Sequence, residues 1–460
     1  MMNTNIYPIK RLTRREFASA LQKGLGRAYL HVSHYGLDDV SDLVLKACLQ
    51  DQSYDPQTES SKAKWLFTMF KDSPQRDELA NAIISSLKTK RDTWDLQQLF
   101  ELSLILAQNG DEQAREALQK RVFEKASKPS SDDWLGSDEW IALTGLDGAL
   151  DLARIYGTRL LNNSNDIVPD HFGLFPINKI EEALNRALKT FAGQDKALQT
   201  YREYLAKSNP VFTGEHPDKE TRLKRRHEEI RRQYNLISIL NDAKNKKGDY
   251  PGFYTTFGQH ATTGELETIF NAFLKEKDDE IRLRLLWVFR RSQIPTFDES
   301  LLKWAKETDG QYQDAAINAL AQFSDVRIHE WAKQKVSANE LSDSNSNGLR
   351  LFILNYEKED ALLITKTLIS NRYNKEDLHT LVWDIIDISK QNHDPSLAEV
   401  LRWGYEKTPC SNCRHSVIVQ LNEINQFNGE MLQEGQFDSK ENIAALAKAK
   451  TDLKYPEIEN

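Results

Sequence analysis

Two cysteines and a histidine stand close together near the C-terminal end of the sequence. Cys410-Ser-Asn-Cys413-Arg-His415 is the only metal-like spacing in the chain, and a closed zinc site needs a fourth ligand. Thr408 and Pro409 predict the start of a helix that puts both cysteines on one face and His415 on another. We therefore favour core packing of the cysteines and predict no metal and no cofactor, with metal or redox chemistry as the alternative.

A basic segment in the middle of the chain is the second candidate. Between Lys219 and Arg232, seven basic residues outnumber three acidic ones, although the whole protein carries a net charge of −8. A helix of this kind is able to contact phosphates, and it is equally typical of a solvated surface with Glu–Arg pairs. The candidate binding residues here are Arg222, Lys224, Arg225, Arg226, Arg231 and Arg232.

The third candidate is a cluster of rings within the glycine-rich stretch 244–264, which we expect to be a long loop. Aromatic side chains on such a loop either stack on a partner or pack inward and hold the loop in place. The candidate binding residues are Tyr250, Phe253, Tyr254, Phe257 and His260.

The elements that would position these residues are helices. The 460 residues include only 20 Gly and 13 Pro, which is few for a chain built from hairpins. Apolar residues recur at helical spacing through the first 125 residues, and the irregular stretches are 126–138, 162–176 and 244–264. From Thr262 the helical pattern becomes regular, and Thr262 with Glu265 has the spacing of a capping box.

A helical phrase recurs through the C-terminal half of the sequence. It begins with acidic residues at Asp278, continues through Ile281 and Arg282, and ends in an apolar ridge. Related versions are centred on Gln313, Arg350, His379 and Arg414, every 29 to 37 residues. Such a period predicts stacked helix pairs, none of which buries its apolar face alone.

This phrase resembles the HEAT-like repeats of armadillo-type α-solenoid proteins over residues 262–428. The resemblance implies that Arg and acidic residues pair along the stack while the aliphatic positions form a continuous core. Gln313 and His379 stand where the pattern prefers Arg, so the resemblance implies no interrepeat ion pair at those two copies.

We predict an all-α fold, a right-handed α-solenoid of stacked antiparallel helix pairs with an irregular N-terminal half. Residues 1–125 form an N-terminal helical region in this prediction, and 126–261 an irregular helical middle with long loops. Residues 262–428 carry the HEAT-like repeats, and 429–460 form a C-terminal cap or tail.

The predicted function is that of a non-enzymatic scaffold for protein–protein interaction, since no catalytic residues stand out in the sequence. The alternatives are a nucleic-acid-binding solenoid that uses the basic helix 219–232, and a subunit of a larger bacterial assembly such as a defence system. Three cysteines are too few for a disulfide framework, and no apolar run approaches the length of a membrane span. We expect a cytoplasmic protein with a protein partner, no membrane contact and no small-molecule substrate.

Overall fold

The protein is built from helices. The structure, a computed structural model, describes residues 7–170, 178–191, 193–208, 219–246, 251–341 and 348–454. Within these ranges there are 25 α-helices and no strand, so the predicted all-α class is confirmed. The helices pack into two compact units: Met1–His216 with Glu430–Asn460, called the first unit, and Pro217–Gly429, called the second unit.

The first unit contains thirteen of these helices. They are α1 (Arg14–Lys23), α2 (Gly26–Tyr35), α3 (Ser41–Leu49), α4 (Ala63–Phe70), α5 (Arg76–Thr89), α6 (Thr93–Gln108), α7 (Glu112–Ala126), α8 (Ser137–Thr144), α9 (Leu146–Asn162), α10 (Asn178–Phe191), α11 (Lys196–Ser208), α24 (Gly429–Gly435) and α25 (Glu441–Lys454).

The second unit contains the other twelve. They are α12 (Lys219–Gln233), α13 (Leu236–Asn245), α14 (Gly252–His260), α15 (Thr263–Lys275), α16 (Asp279–Trp287), α17 (Glu299–Glu307), α18 (Gly310–Leu320), α19 (Val326–Ser337), α20 (Asp360–Ser370), α21 (Lys375–Asn392), α22 (Ala398–Lys407) and α23 (Ser411–Glu423). Short 3-10 helices follow at Val288–Arg290, Gly348–Phe352 and Pro395–Leu397.

The core of the first unit is made of helices whose apolar residues recur every three or four positions. In α6, Leu96, Leu99 and Leu106 are fully buried, and the Asp92 side chain caps the helix by accepting from the Trp94 and Asp95 amides. The cap satisfies amide groups that have no partner inside the helix, and burial of the leucines fixes the face that packs against α4, α5 and α7.

A buried ion cluster, which we call the Arg159 cluster, holds the irregular segments of the first unit. The Arg159 guanidinium contacts Asp133 at 2.6 Å and Asp166 at 2.9 Å, and all three side chains are less than a tenth exposed. Arg159 also donates to the Ala126 carbonyl at 2.9 Å. Because Asp133 and Asp166 lie in the segments before α8 and after α9, one side chain secures both.

The segment after Gly429 packs against the N-terminal helices of the chain. The Trp65 indole donates to the Phe437 carbonyl at 2.9 Å, and Arg27 pairs with Glu434 at 2.9 Å. Gly26 allows this approach, because a Cβ atom at that position would overlap the Glu434 carbonyl. The last helices therefore belong to the same core as the first ones.

The second unit repeats one packing scheme. The elements α16, α18, the 3-10 helix Gly348–Phe352, α21 and α23 contact one another in that order. A further helix packs against members of this series: α15 on α16, α17 on α18, α19 on the 3-10 helix, and α22 on α21 and α23. These are the segments that carry the helical phrase of the sequence, and the arrangement is compatible with a solenoid of helix pairs.

Side-chain caps begin two helices of the second unit where the sequence indicates. The predicted capping box is confirmed: the Thr262 hydroxyl accepts from the Glu265 amide, and the Glu265 carboxylate accepts from the Thr262 amide. The Asp278 side chain caps α16, whose Leu283, Leu285 and Leu286 are buried. These caps fix where each helix of the phrase begins.

The prediction of a long loop over 244–264 is wrong. Residues 252–260 form α14, and residues 247–250 lie outside the described part of the chain. Gly258 is required here for packing and not for a turn, because a Cβ atom would overlap the Val288 carbonyl of the neighbouring segment. The glycine at position 258 therefore reflects a close contact between two segments and not a loop.

Candidate functional site

The basic helix α12 keeps part of its predicted charge on the surface. Lys224, Arg225 and Arg226 are exposed, and so are Glu228 and Glu229, which sit about one turn away. Arg232 is exposed as well, whereas the Arg222 side chain lies outside the described residues. The described surface of α12 is thus a mixed one with a modest positive excess.

Arg231 of the same helix is used inside the protein. Its guanidinium donates to the His260 carbonyl at 2.7 Å and to the Glu265 carboxylate at 3.0 Å. The contact joins the end of α12 to the junction of α14 and α15. Arg231 therefore holds helices together and is half-buried, not displayed for a phosphate.

The aromatic residues of α14 belong mainly to the core. Tyr254 and Phe257 are only 1% exposed, and Phe253 is half-buried against the Tyr234 ring at 5.0 Å. The Tyr254 hydroxyl donates to Asp242, and burial followed by this hydrogen bond raises the pKa of Tyr254. These side chains pack inward, which was the other interpretation of the sequence.

The two remaining candidates of this segment contribute little surface. His260 is half-buried and accepts from Arg231 through its backbone. Tyr250 lies outside the described residues.

The second unit contains a cleft of about 530 Å³ that runs along the series of stacked elements. It is formed by Pro251 and by residues of α16, the 3-10 helix Val288–Arg290, α18, the 3-10 helix Gly348–Phe352 and α21. The lining is mixed, with two guanidinium groups, two carboxylates, amides and apolar surface: Pro251, Leu286, Trp287, Arg290, Gln311, Asp314, Ala315, Ile317, Asn318, Arg350, Thr380 and Asp384.

Arg350 joins three consecutive elements at the floor of this cleft. Its Nε donates to the Asp384 carboxylate at 3.0 Å, and its NH1 donates to the Asn318 side-chain oxygen. Asp384 is 1% exposed, while the Arg350 side chain is 32% exposed toward the cleft. The pair links α21 to the preceding element, as the HEAT-like resemblance implies for Arg and acidic positions.

Arg290 stands at the edge of the cleft with its charge uncompensated. The side chain is exposed and forms no ion pair with any described residue. Gln311 is exposed beside it, and Trp287 is half-buried with the Arg284 guanidinium 5.5 Å from its ring. These groups are available to a ligand without any rearrangement of the core.

The cysteine pair meets a different histidine from the one nearby in sequence. His379 of α21 has its Nδ1 3.6 Å from the Cys413 Sγ, and the ligand atoms of His379, Cys410 and Cys413 all lie within 4.8 Å of one another. Among the described residues His415 is not part of this group. We call these three residues the thiol–imidazole cluster.

The start of the following helix also differs slightly from expectation. Cys410, not Thr408, occupies the N-cap of α23, and the Thr408 hydroxyl accepts from the Cys410 amide at 3.2 Å. Cys410 and Cys413 are nevertheless both buried, together with Val417 and Leu421. The predicted apolar face is therefore present.

Sequence reasoning missed His379, Arg290 and the Arg350–Asp384 pair as site residues. A signal existed for two of them, because Arg350 and His379 are both centres of the repeated phrase. His379 departs from the Arg that the pattern prefers, and a polar residue of different chemistry at a repeat centre is a reason to look for a special contact. Arg290 carries no such signal.

Comparisons of the chain with protein families, with curated proteins and with solved structures find no match. In the described part of the chain, no helix combines the length and the apolar character needed to span a bilayer.

Proposed function

We propose that this protein is a non-enzymatic scaffold of HEAT-like α-solenoid type, and that its second unit binds a segment of a partner protein in the cleft along α16, α18 and α21. The observation that carries the proposal is the line of accessible polar groups beside an apolar and aromatic wall, formed by elements that pack in series.

The architecture supports binding along an extended surface. Four consecutive elements of the series, α16, α18, the 3-10 helix Gly348–Phe352 and α21, contribute residues to the cleft, and Arg350 ties neighbouring elements together. Stacked repeats present such side chains at regular spacing, so a ligand with its own repeating backbone suits them.

The chemistry of the lining favours a polypeptide. Gln311 is exposed and carries an amide, which donates and accepts as a peptide backbone does. Arg290 offers an uncompensated guanidinium for a carboxylate, and the half-buried Trp287 offers apolar contact. The carboxylate of Asp314 would oppose a phosphate backbone at the same place.

Selection from a random peptide library on the immobilised full chain tests the proposal. We expect selected peptides to contain an acidic residue and to bind the Arg290→Glu variant at least about tenfold more weakly by calorimetry, a loss of about 1.4 kcal/mol. Arg291→Glu is the matched control, since Arg291 is the exposed neighbour outside the lining, and it should change the affinity by less than about twofold.

Two outcomes would contradict peptide binding in the cleft. One is a library that yields no binder. The other is a set of binders that the two variants weaken equally, since only position 290 lines the cleft.

Binding of nucleic acid through α12 is the second candidate function, favoured by the consecutive exposed cations Lys224, Arg225 and Arg226. Replacement of all three by Gln should then abolish binding of a labelled oligonucleotide. The wild-type affinity should fall roughly 40-fold between 50 and 200 mM salt if each of the three cations contacts one phosphate. Absence of binding at the lower salt concentration would rule out this function.

The remaining alternative is a subunit of a larger assembly. Such a subunit would self-associate when purified alone.

A further inference from the structure

We propose that His379, Cys410 and Cys413 form a binding site for a thiophilic divalent cation of the zinc class. This inference is independent of the cleft. The sequence-based expectation of no metal depended on His415 pointing away from the cysteines and on the need for a fourth ligand. His379 of α21 takes the place of His415 as the third protein ligand.

The separations within the cluster are close to those of a tetrahedral site. Usual zinc–sulfur and zinc–nitrogen bond lengths put the nitrogen and sulfur ligands of such a site about 3.6 Å apart and two sulfur ligands about 3.8 Å apart. The distance from His379 Nδ1 to Cys413 Sγ is 3.6 Å. Since all three ligand atoms lie within 4.8 Å of one another, the widest gap has to shorten by at most about 1.2 Å.

The elements behind the ligands allow this adjustment. Cys410 is the N-cap of α23 and has an extended backbone, with φ −91° and ψ 126°, so its side chain is outside the first helical turn. Cys413 is inside that turn, and His379 lies on the 18-residue helix α21, which contacts α23 directly. One ligand at the helix end and two within helical turns suit a site that closes on its ion.

Burial of the two cysteines disfavours thiolates, and the helix end beside them together with a bound cation offsets that cost. Both cysteines are buried, at 3% and 1% exposure, and both lie at the N-terminal end of the 13-residue helix α23. The positive end of a helix stabilises a thiolate, and a bound cation does so more strongly. His379 is the half-buried member, so the fourth coordination position faces the accessible side and takes a water molecule.

Trp383 disfavours cation binding, because it forms a hydrogen bond with the other nitrogen of the His379 imidazole. Its indole Nε1 donates to His379 Nε2 at 3.0 Å, which places the ring proton of the neutral imidazole on Nδ1, toward Cys413. A cation on Nδ1 requires that proton to move to Nε2, and the indole then has to turn away. Trp383 is 42% exposed, so it has room to turn.

The proton balance of binding follows from these contacts. The two thiols lose two protons to solvent, two sulfur–metal bonds and one nitrogen–metal bond form, and the imidazole stays neutral with its proton shifted between its nitrogens. No oxidant or reductant takes part.

Titration of the reduced full chain with Co²⁺, a spectroscopic probe for zinc sites, tests the proposal. We expect one equivalent to bind with a thiolate-to-cobalt charge-transfer absorption that Zn²⁺ abolishes. Cys413→Ser should weaken binding at least a hundredfold and His379→Ala at least tenfold, while Cys48→Ser, a buried cysteine of the first unit, should leave it unchanged.

A further variant separates this site from a packed core. Trp383→Phe removes the competing indole donor, and we expect it to tighten cobalt binding several-fold. A role in packing alone predicts no effect on a metal titration, so this variant decides the question even if Cys413→Ser fails to fold.

Three results would overturn the proposed metal site. They are the absence of a stoichiometric cobalt complex, cobalt binding that survives Cys413→Ser in a folded variant, and a Cys410–Cys413 disulfide whose reduction yields no metal binding.

Discussion

The Arg159 cluster of the first unit and the Arg350 pair of the second unit use the same chemistry to different ends. In the Arg159 cluster the guanidinium and both carboxylates are each less than a tenth exposed, and the arginine pairs with both carboxylates. In the Arg350 pair only Asp384 is sealed, whereas Arg350 is about one-third exposed and faces a cleft beside the uncompensated Arg290. An arginine that only holds two segments together can be buried. An arginine that also binds a ligand has to be partly exposed.

The largest expected effect comes from opening the closed cluster. Arg159→Met leaves Asp133 and Asp166 buried without a cation, and we expect the first unit to lose about 3–5 kcal/mol of unfolding free energy, measured by urea denaturation. Arg154→Met on the same helix is the control, because its ion pairs are half-exposed and should contribute less than about 1 kcal/mol. Equal losses in the two variants would show that the cluster is not sealed.

Glu139 of the same unit is a buried acid with no cation beside it among the described residues, so its ionisation should destabilise the folded chain. Burial, followed by the nearby carboxylate of Glu101, raises the pKa of Glu139 to about 8 from its ordinary 4.5. The folded chain therefore binds the proton more tightly than the unfolded chain, and stability falls as the pH rises from about 4.5 to about 8.

Glu139→Gln should remove that dependence. We expect the variant to be about 2–4 kcal/mol more stable than the parent at pH 9 and nearly equal at pH 4.5, by urea denaturation at each pH. Glu116→Gln, an exposed acid of α7, provides the matched control. Parallel pH profiles of parent and Glu139→Gln would contradict the raised pKa.

The open pair should tolerate loss of its arginine better than the closed cluster does. Arg350→Gln deprives Asp384 of a charge-assisted hydrogen bond, and water from the cleft can replace part of it. We expect a loss of about 1.5–3 kcal/mol from the second unit, against no more than about 0.5 kcal/mol for the exposed Arg372→Gln. A loss as large as that of Arg159→Met would mean that the cleft admits no water.

The smallest effect on stability is expected at the edge of the cleft. Arg290→Ala should change the midpoint of thermal unfolding negligibly, with less than about 0.5 kcal/mol lost, because its charge has no internal partner. The same variant should weaken the selected peptides. A stability loss above 1 kcal/mol would assign Arg290 to the fold and not to binding.

Local signals in the sequence predicted the fold class and several helix starts. The Thr262–Glu265 box and the apolar spacing of α6 depend on neighbouring residues only, and both are confirmed. Residues 252–260 were mistaken for a loop because Gly258 serves a contact with Val288, thirty residues away. A sequence window contains no record of such a contact, since the two positions approach only after α14 and α16 have packed.

The same limit applies to the candidate site. The cysteine spacing was visible, yet the histidine nearby in sequence is not the one that meets the thiols. His379 reaches Cys413 because α21 and α23 are neighbours in the packing series, and the departure from Arg at its position is the only trace in the sequence. Exposed Arg290 and buried Tyr254 could not be told apart from other Arg and Tyr residues before their packing was known.

The contact between Trp65 and Phe437 has a consequence for biosynthesis. A ribosome delivers the amino-terminal helices long before the residues that complete their hydrophobic interior, so the nascent chain carries an unfinished surface while the intervening residues emerge. Contacts of such wide sequence separation close slowly, and until they do the exposed surface is open to aggregation or to chaperones. Translation that stops short of Phe437 should therefore leave a product that proteases remove.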